Sequence, residues 1–207
     1  MRLLLIEGAP YSGKSTVAQH VALRCTTPGT TARWFHEREP DHPVFHFSHL
    51  NELLRFKPDQ LEEALMTGWR ALTPIPRLDL LVLDGTLMNL TIGLMVATEL
   101  PENQIRRVFG AIVEVLQPFE PTLVQLTYPD VDQWLRTVSA QRGAHWIHVM
   151  HTLLAQTPFA RAHAATSNAA PPGTPARSPE MGLLRAFYAR LMGLMSDLPE
   201  LWLGQHV

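Results

Sequence analysis

The segment from Gly8 to Ser15 is the part of this sequence whose residue types and spacing most clearly indicate chemistry. Its residues, GAPYSGKS, fit the pattern G-x-x-x-x-G-K-[ST] at every position. In this pattern the glycines let the backbone curve around a phosphate chain, so that its N–H groups point inward. The helix that follows adds the partial positive charge of its N-terminus. The segment therefore predicts a phosphate-binding loop.

The residues of this loop have separate expected roles. Lys14 supplies a point charge for the β- and γ-phosphates, and the Ser15 hydroxyl can hold Mg²⁺. The chain has 17 lysines and arginines, and only Lys14 and Lys57 are lysines. Lys14 thus falls where a slim ammonium suits the loop better than a forked guanidinium. The residues expected to bind the nucleotide are Gly8, Ala9, Tyr11, Ser12, Gly13, Lys14, Ser15 and Thr16.

Other sequence features narrow the class of phosphate-binding protein. The base-reading Asn-Lys-x-Asp motif of GTPases is absent, because neither lysine lies in such a motif. The Leu-Ser-Gly-Gly signature of transporter ATPases is absent as well. With the loop at residue 8, a small kinase is the class that remains. We expect ATP and a small-molecule acceptor as its substrates, with Mg²⁺ as the metal.

Two carboxylates follow predicted strands and are candidates for the chemistry of transfer. Asp84 ends an apolar run, and Glu37 follows another. Ligands of open α/β sheets bind at the carboxyl ends of the strands, which favours both residues. Asp84 could hold Mg²⁺, directly or through water, or accept the proton of the acceptor; a helix cap or turn carboxylate is its structural alternative. For Glu37 the alternative is a solvated charge in the run Glu37-Arg38-Glu39.

The predicted elements that position these residues alternate along the chain. Four short apolar runs predict strands buried on both faces: Leu3–Glu7, Thr31–His36, Leu78–Asp84 and Thr122–Tyr128. Apolar residues at helical spacing predict helices that include Val17 to Cys25, Ile105 to Leu116, Val131 to Val138, and Leu183 to Met195. Such alternation predicts an α/β fold with a mostly parallel sheet of about five strands, flanked by helices. The tail at Leu201 to Leu203 is the candidate for the fifth strand.

Several of these segments resemble a known family. Ile6-Glu7-Gly8 and Ser12-Gly13-Lys14-Ser15-Thr16 are similar to the opening of thymidylate kinases and deoxynucleoside kinases. The nearest likeness is to a bacterial group of thymidylate-kinase-like P-loop proteins. Looser likeness continues through Trp34 to Glu37, Leu83 to Thr86, Pro121 to Tyr128, Gln141-Arg142 and Gly182 to Leu184.

The resemblance implies a three-layer P-loop sandwich with strand order 2-3-1-4-5, and dimers are common in the family. It places Glu37 where deoxynucleoside kinases keep a catalytic carboxylate. It places Arg142 where related kinases have an arginine that covers the transferring phosphate. Arg136 is the weaker choice for that role, and a plain surface arginine is the alternative for either. The expected catalytic residues are Lys14, Asp84, Glu37 and Arg142, with Ser15 and Asp84 as metal ligands.

The sequence departs from the family at three positions that bear on the acceptor. Pro10 stands where thymidylate kinases usually have aspartate, and Tyr11 where they usually have glycine. Gly85 follows Asp84, where these kinases carry an arginine that binds the acceptor or the transferred phosphate. The absence of this arginine weakens the case for a nucleoside monophosphate as the acceptor and favours an acceptor with a neutral hydroxyl group.

The expected function is therefore transfer of the γ-phosphate of ATP to a small acceptor. A nucleoside or a nucleoside monophosphate is the expected acceptor. Two alternatives stay open. One is a kinase for another hydroxylated metabolite or an antibiotic. The other is a regulator that binds ATP without transferring phosphate.

Composition bounds the partners and the compartment. With 46% hydrophobic and 17% charged residues in 207, the chain is expected to form one globular domain over 1–207. A net charge of −2 argues against nucleic-acid binding. A lone cysteine, Cys25, cannot form an internal disulfide, so a cytoplasmic location is expected. The longest apolar zone is too short for a membrane span, and the Ala/Pro-rich residues 161–179 predict a flexible loop.

Overall fold

A computed structural model describes residues 1–45, 50–167 and 179–198. Its four strands are β1 (Arg2–Gly8), β2 (Ala32–His36), β3 (Leu80–Asp84) and β4 (Thr122–Leu126). They form one parallel sheet in the order β2-β3-β1-β4. The α-helices are α1 (Lys14–Cys25), α2 (Leu50–Leu53), α3 (Pro58–Arg70), α4 (Gly93–Ala97), α5 (Glu102–Leu116), α6 (Val131–Ala155), α7 (Pro158–Ser167) and α8 (Pro179–Asp197). A π-helical segment, Thr86–Ile92, precedes α4, and a 3₁₀ turn, Gln117–Phe119, precedes β4.

The central strands β1 and β3 are buried on both faces because they are apolar at consecutive positions, whereas β2 and β4, at the edges of the sheet, are only partly buried. Leu3 and Leu5 of β1 belong to the larger core cluster, whereas Ile6 belongs to a second cluster on the other face. Helix α1 covers that second face through Ala18 and Ala22 and packs against β1, β2 and β3. This arrangement is an α/β fold with helices on both sides of an all-parallel sheet.

The predicted α/β class and the four predicted strands are confirmed, with bounds shifted by one or two residues. The observed order agrees with the first four strands of the order that the resemblance implies. The predicted fifth strand, at Leu201 to Leu203, lies outside the described residues. Within the described ranges, no helix combines the length and the apolar character that crossing a bilayer requires.

The prediction of a flexible loop over residues 161–179 is wrong where the structure describes it. Residues 161–167 belong to α7, and residue 179 begins α8. Helix α7 is rich in alanine, the strongest helix former, and Pro158 suits a first helical position. Phe159 and Ala160 also bury this helix against the core. Residues 168–178 of the predicted loop lie outside the described part of the chain.

Helix α6 is much longer than predicted and changes direction. Asp130 caps it by accepting a 2.7 Å hydrogen bond from the Gln133 N–H, and Gly143, at φ 71° and ψ −178°, interrupts it with a kink. The part before the kink buries Trp134, Leu135 and Val138. Arg142 therefore lies within this helix, directly before the kink.

Candidate functional site

The loop from Gly8 to Ser15 joins the carboxyl end of β1 to the first turn of α1. Gly13, with a left-handed φ of 86°, is the N-cap of α1 and offers no side-chain hydrogen bond to the helix. The first hydrogen bond along the helix runs from the Val17 N–H to the Gly13 carbonyl, at 3.0 Å. The N–H groups of residues 14–16 thus have no acceptor within the helix and can bind an anion.

Close approach of the chain to itself explains the first glycine of the loop. A Cβ atom at Gly8 would lie 2.5 Å from Ser12 Oγ and 2.7 Å from the Leu126 carbonyl oxygen. Any larger residue would therefore push the loop away from β4. The Ser12 Oγ atom itself is buried without a hydrogen-bond partner among the described residues, which leaves it free to bind a ligand oxygen.

Two aromatic side chains fix the outer part of the loop. Trp134 Nε1 donates a 2.7 Å hydrogen bond to the Pro10 carbonyl, and Tyr128 Oη donates a 2.8 Å hydrogen bond to the Tyr11 carbonyl. Tyr11 has a left-handed φ of 71°, a conformation that costs a non-glycine residue of order 1 kcal/mol. The Arg142 guanidinium lies 5.1 Å from the centre of the Tyr11 ring, within cation–π range. Tyr11 thus brings Arg142 to the loop from Gly8 to Ser15.

Asp84 ends β3 in a fully buried position. It pairs with Ile6 of β1 and His36 of β2, so it lies at the carboxyl edge of the sheet. Both carboxylate oxygens are buried, and neither makes a hydrogen bond of normal geometry among the described residues. Burial raises the pKa of Asp84, and the Ser15 hydroxyl and the Lys14 ammonium oppose that shift. A buried carboxylate with two open oxygens calls for a cation.

The side chains around Asp84 suit Mg²⁺ better than a metal ion whose ligands all come from the protein. The Ser15 hydroxyl near Asp84 supplies a second oxygen ligand. In the described ranges there is no cluster of three or more histidine, cysteine, aspartate or glutamate side chains able to hold a metal. Mg²⁺ characteristically takes one or two protein ligands and completes its shell with water and substrate phosphates.

Glu37 follows β2 and lies beside Gly85 at the same edge of the sheet. Its Oε2 atom accepts a 3.0 Å hydrogen bond from Asn89 Nδ2. A Cβ atom at Gly85 would lie 2.6 Å from that same oxygen and 2.8 Å from Lys14 Cε. The carboxylate of Glu37 and the stem of Lys14 therefore flank Gly85, and a side chain there would displace them and strain the left-handed backbone at φ 69°.

Glu7 is a buried carboxylate that the sequence analysis did not assign to the site. Its Oε1 accepts a 2.7 Å hydrogen bond from the Leu87 N–H, and its Oε2 a 3.3 Å hydrogen bond from the Asn89 N–H. Burial raises the pKa of Glu7 to about 8, against the backbone N–H groups and the Lys14 ammonium, which lower it. The one signal for Glu7 in the sequence was an acidic residue at the end of an apolar run predicted to be a buried strand.

Glu7 accepts hydrogen bonds from the backbone at the start of the π-helical segment, and Asn89 of this segment donates a hydrogen bond to Glu37. The connection runs from the Glu7 carboxylate to the Asn89 N–H, and from the Asn89 amide to the Glu37 carboxylate. Short π-helical turns are rare and occur frequently at functional sites. The position of Glu37 thus depends on β1, the strand that leads into the loop from Gly8 to Ser15.

A cavity of about 880 Å³ brings most of the predicted residues together. Its walls include Tyr11, Gly13, Lys14, Ser15, Thr16, Glu37 and Arg142. Its volume is near the upper end of the range for small-molecule sites. The second half of α6 forms another part of its wall through residues that were not among the expected site residues: His145, Trp146, Val149, Met150 and Leu153.

The remaining predicted residues lie elsewhere. Among the described residues, Gly8, Ala9, Ser12 and Asp84 do not line the cavity, although the first three belong to its loop. Arg136 is exposed on the first half of α6, outside the lining.

Comparison of the chain with protein-family models, curated proteins and solved structures finds no match. The likeness to thymidylate kinases therefore rests on the motifs quoted above. The function has to be argued from the chemistry of the site itself.

Proposed function

We propose that this protein is a P-loop phosphotransferase that moves the γ-phosphoryl group of ATP to a small acceptor. The observation that carries the proposal is the grouping of Lys14, Ser15 and Asp84 at the uncapped N-terminus of α1, with Glu37 beside them. Phosphoryl transfer needs charge neutralisation, alignment and a place for one proton, and this grouping offers all three.

The loop and the first turn of α1 are suited to the donor. The N–H groups of residues 14–16 face away from the helix hydrogen bonds, and Lys14 adds a full positive charge that is 8% exposed. A buried ammonium interacts with phosphate oxygens more strongly than a solvated one, because less water screens the charge. This half of the site therefore favours a phosphate chain over an isolated carboxylate or sulfate.

Asp84 and Ser15 are the residues that would hold Mg²⁺. When bound there, the ion neutralises charge on the β- and γ-phosphates during transfer. The buried oxygens of Asp84 gain a partner that the described protein does not supply. Asp84 is thus better suited to a metal than to proton transfer, and Glu37 is the better base.

Glu37 has the position that the acceptor requires. It lines the cavity next to Lys14, and the Asn89 amide orients one of its oxygens. In the proposed step, the acceptor oxygen bonds to the γ-phosphorus while the bond from that phosphorus to the β,γ-bridging oxygen breaks. The acceptor proton passes to the Glu37 carboxylate, and ADP leaves.

Replacement of the two lysines gives the decisive test. Lys14→Ala removes the buried cation, and Lys57→Ala is the matched control, because Lys57 is exposed and does not line the cavity. We expect Lys14→Ala to weaken ATP binding by about tenfold or more and to abolish ADP formation. The measurements are calorimetric titration with ATP and an ADP-release assay across nucleosides, nucleoside monophosphates and other alcohols.

The same assay separates the alternatives. Retention of ATP binding and transfer by Lys14→Ala would show the proposal to be wrong. ATP binding by the unchanged chain without ADP formation from any acceptor would identify a nucleotide-binding regulator instead.

A further inference from the structure

The second half of α6 presents an apolar face to the cavity. Trp146, Val149, Met150 and Leu153 follow the i, i+3, i+4, i+7 spacing of one helix face, and all four line the cavity. Trp146 and Met150 also pack against the core, whereas Val149 and Leu153 are not among the residues described as packing there. The outer part of this face thus has no described partner inside the protein.

Exposure of these side chains is unusual for this chain. Among the described residues, five large apolar side chains are exposed, and three of them line this cavity. These are Tyr11, Val149 and Leu153, which are 39%, 40% and 37% exposed. Single exposed apolar residues need no explanation, but a group of them around one cavity marks a ligand site.

The polar end of the same cavity constrains the part of the ligand that reacts. Lys14 is committed to the donor phosphates in the proposed function, and Glu37 adds a carboxylate beside it. An anionic acceptor group would be repelled by Glu37, and residue 85 is a glycine that offers no cation to offset this repulsion, although Arg38 and Arg142 also line the cavity. A neutral hydroxyl meets no such penalty and can donate its proton to Glu37.

We infer that the acceptor is a neutral alcohol with an apolar body, aromatic or aliphatic, which packs on the α6 face formed by Trp146, Val149, Met150 and Leu153. Its hydroxyl lies at the Glu37 end of the cavity. The transfer step rests on the proposed function, but binding of the alcohol does not require ATP. The role of α6 in this inference is to select the acceptor by its apolar body.

Binding without nucleotide tests the inference separately from the proposed function. The probes are 3-phenyl-1-propanol, glycerol, thymidine and thymidine monophosphate, measured with the full chain by saturation-transfer NMR and titration. We expect the phenyl alcohol to bind more tightly than the other three. Tighter binding of thymidine monophosphate, or no binding of the phenyl alcohol, would overturn the inference.

Substitutions on α6 test where the alcohol binds. The double variant Val149→Gln, Leu153→Gln should raise the Kd for 3-phenyl-1-propanol about tenfold, since each methylene lost from an apolar contact is worth a factor of about four. Leu23→Gln is the matched control, because Leu23 is exposed on α1 outside the cavity lining. Leu153→Met keeps the apolar surface and should keep the parent Kd. An unchanged Kd in the double variant would overturn the inference, even if the protein transfers phosphate.

The two proposals fail in different ways. Alcohol binding without ATP binding would refute the proposed function and support the inference. Phosphate transfer only to monophosphates, with no alcohol binding, would support the proposed function and refute the inference.

Discussion

The Oε2 atom of Glu37 lies 2.6 Å from the position that a Cβ atom at Gly85 would occupy. Glu37 comes from the end of β2 and Gly85 from the end of β3, so two neighbouring strands bring them together. The same Cβ would lie 2.8 Å from Lys14 Cε. Glycine at position 85 thus lets the Glu37 carboxylate and the Lys14 stem lie side by side without displacement.

Substitution of Gly85 should impair activity whatever the new side chain. Gly85→Ala places a Cβ against Glu37 and Lys14 at a left-handed φ of 69°, so we expect unfolding free energy to fall by about 1–2 kcal/mol. Gly85→Arg, which introduces the arginine that thymidylate kinases carry at the position the resemblance matches to Gly85, should be at least as harmful. Chemical denaturation measures the change in unfolding free energy, and ATP titration measures the change in ATP binding.

Gly110→Ala is the matched control for Gly85→Ala. Gly110 lies inside α5, and a Cβ there meets nothing within 4 Å. This substitution should leave ATP binding unchanged and stabilise the helix by about 0.5–1 kcal/mol. Gain of function in Gly85→Arg would contradict the assigned arrangement of Glu37 and Lys14.

Glu37→Gln should slow transfer while sparing ATP binding. The amide keeps the shape of the side chain but cannot take a proton, so kcat should fall by about 10²–10⁴-fold. Glu39→Gln, two residues further along the same charged run, should keep the parent kcat. Steady-state ADP release measures kcat, and calorimetry measures the Kd for ATP. Equal losses of kcat in Glu37→Gln and Glu39→Gln would mean that Glu37 is only one of the solvated charges in the segment Glu37-Arg38-Glu39.

Arg142→Ala should lower kcat, because it removes a cation held beside the loop by Tyr11. We expect a loss of about 10²-fold if the guanidinium covers the transferring phosphate, which is less than the about 10³–10⁵-fold effect of an arginine finger. Arg136→Ala is the control on the same helix, since Arg136 is exposed outside the cavity lining. Parent-like kinetics in Arg142→Ala would assign this arginine to the surface.

Glu7 should make the stability of the protein depend on pH. Its pKa is about 8 in the folded chain and 4.5 ordinarily, so between these values the unfolded chain binds fewer protons than the folded one. Unfolding free energy should therefore fall as pH rises from 4.5 towards 8, by up to about 1.4 kcal/mol per pH unit. Urea denaturation at a series of pH values measures this slope.

Glu7→Gln should flatten the slope, because the amide does not titrate. Glu114→Gln, on the exposed side of α5, should leave the slope as it is in the parent chain. Asp84, whose pKa is also raised by burial, adds a change of the same sign, so some slope should persist in Glu7→Gln. An identical slope in Glu7→Gln and the parent would assign the dependence to other groups.

The sequence by itself determined the loop and the fold class. The spacing of Gly8, Gly13, Lys14 and Ser15 is local, and consecutive apolar residues indicate strands buried on both faces, so neither requires knowledge of distant contacts. Local signals failed at residues 161–167, because an alanine-rich helix lacks an apolar period of its own.

Only the tertiary structure decided how the site is assembled. Glu7, Gly85 and Asn89 have no local signature, since their roles follow from contacts with residues at least 48 positions away at the carboxyl edge of the sheet, as between Gly85 and Glu37. The apolar face of α6 likewise has the pattern of an ordinary core helix. The kink at Gly143 and the packing of its neighbours decide that the outer part of this face borders a cavity while Trp146 and Met150 also contact the core. Sequence periodicity does not encode which surface lies opposite a helix face.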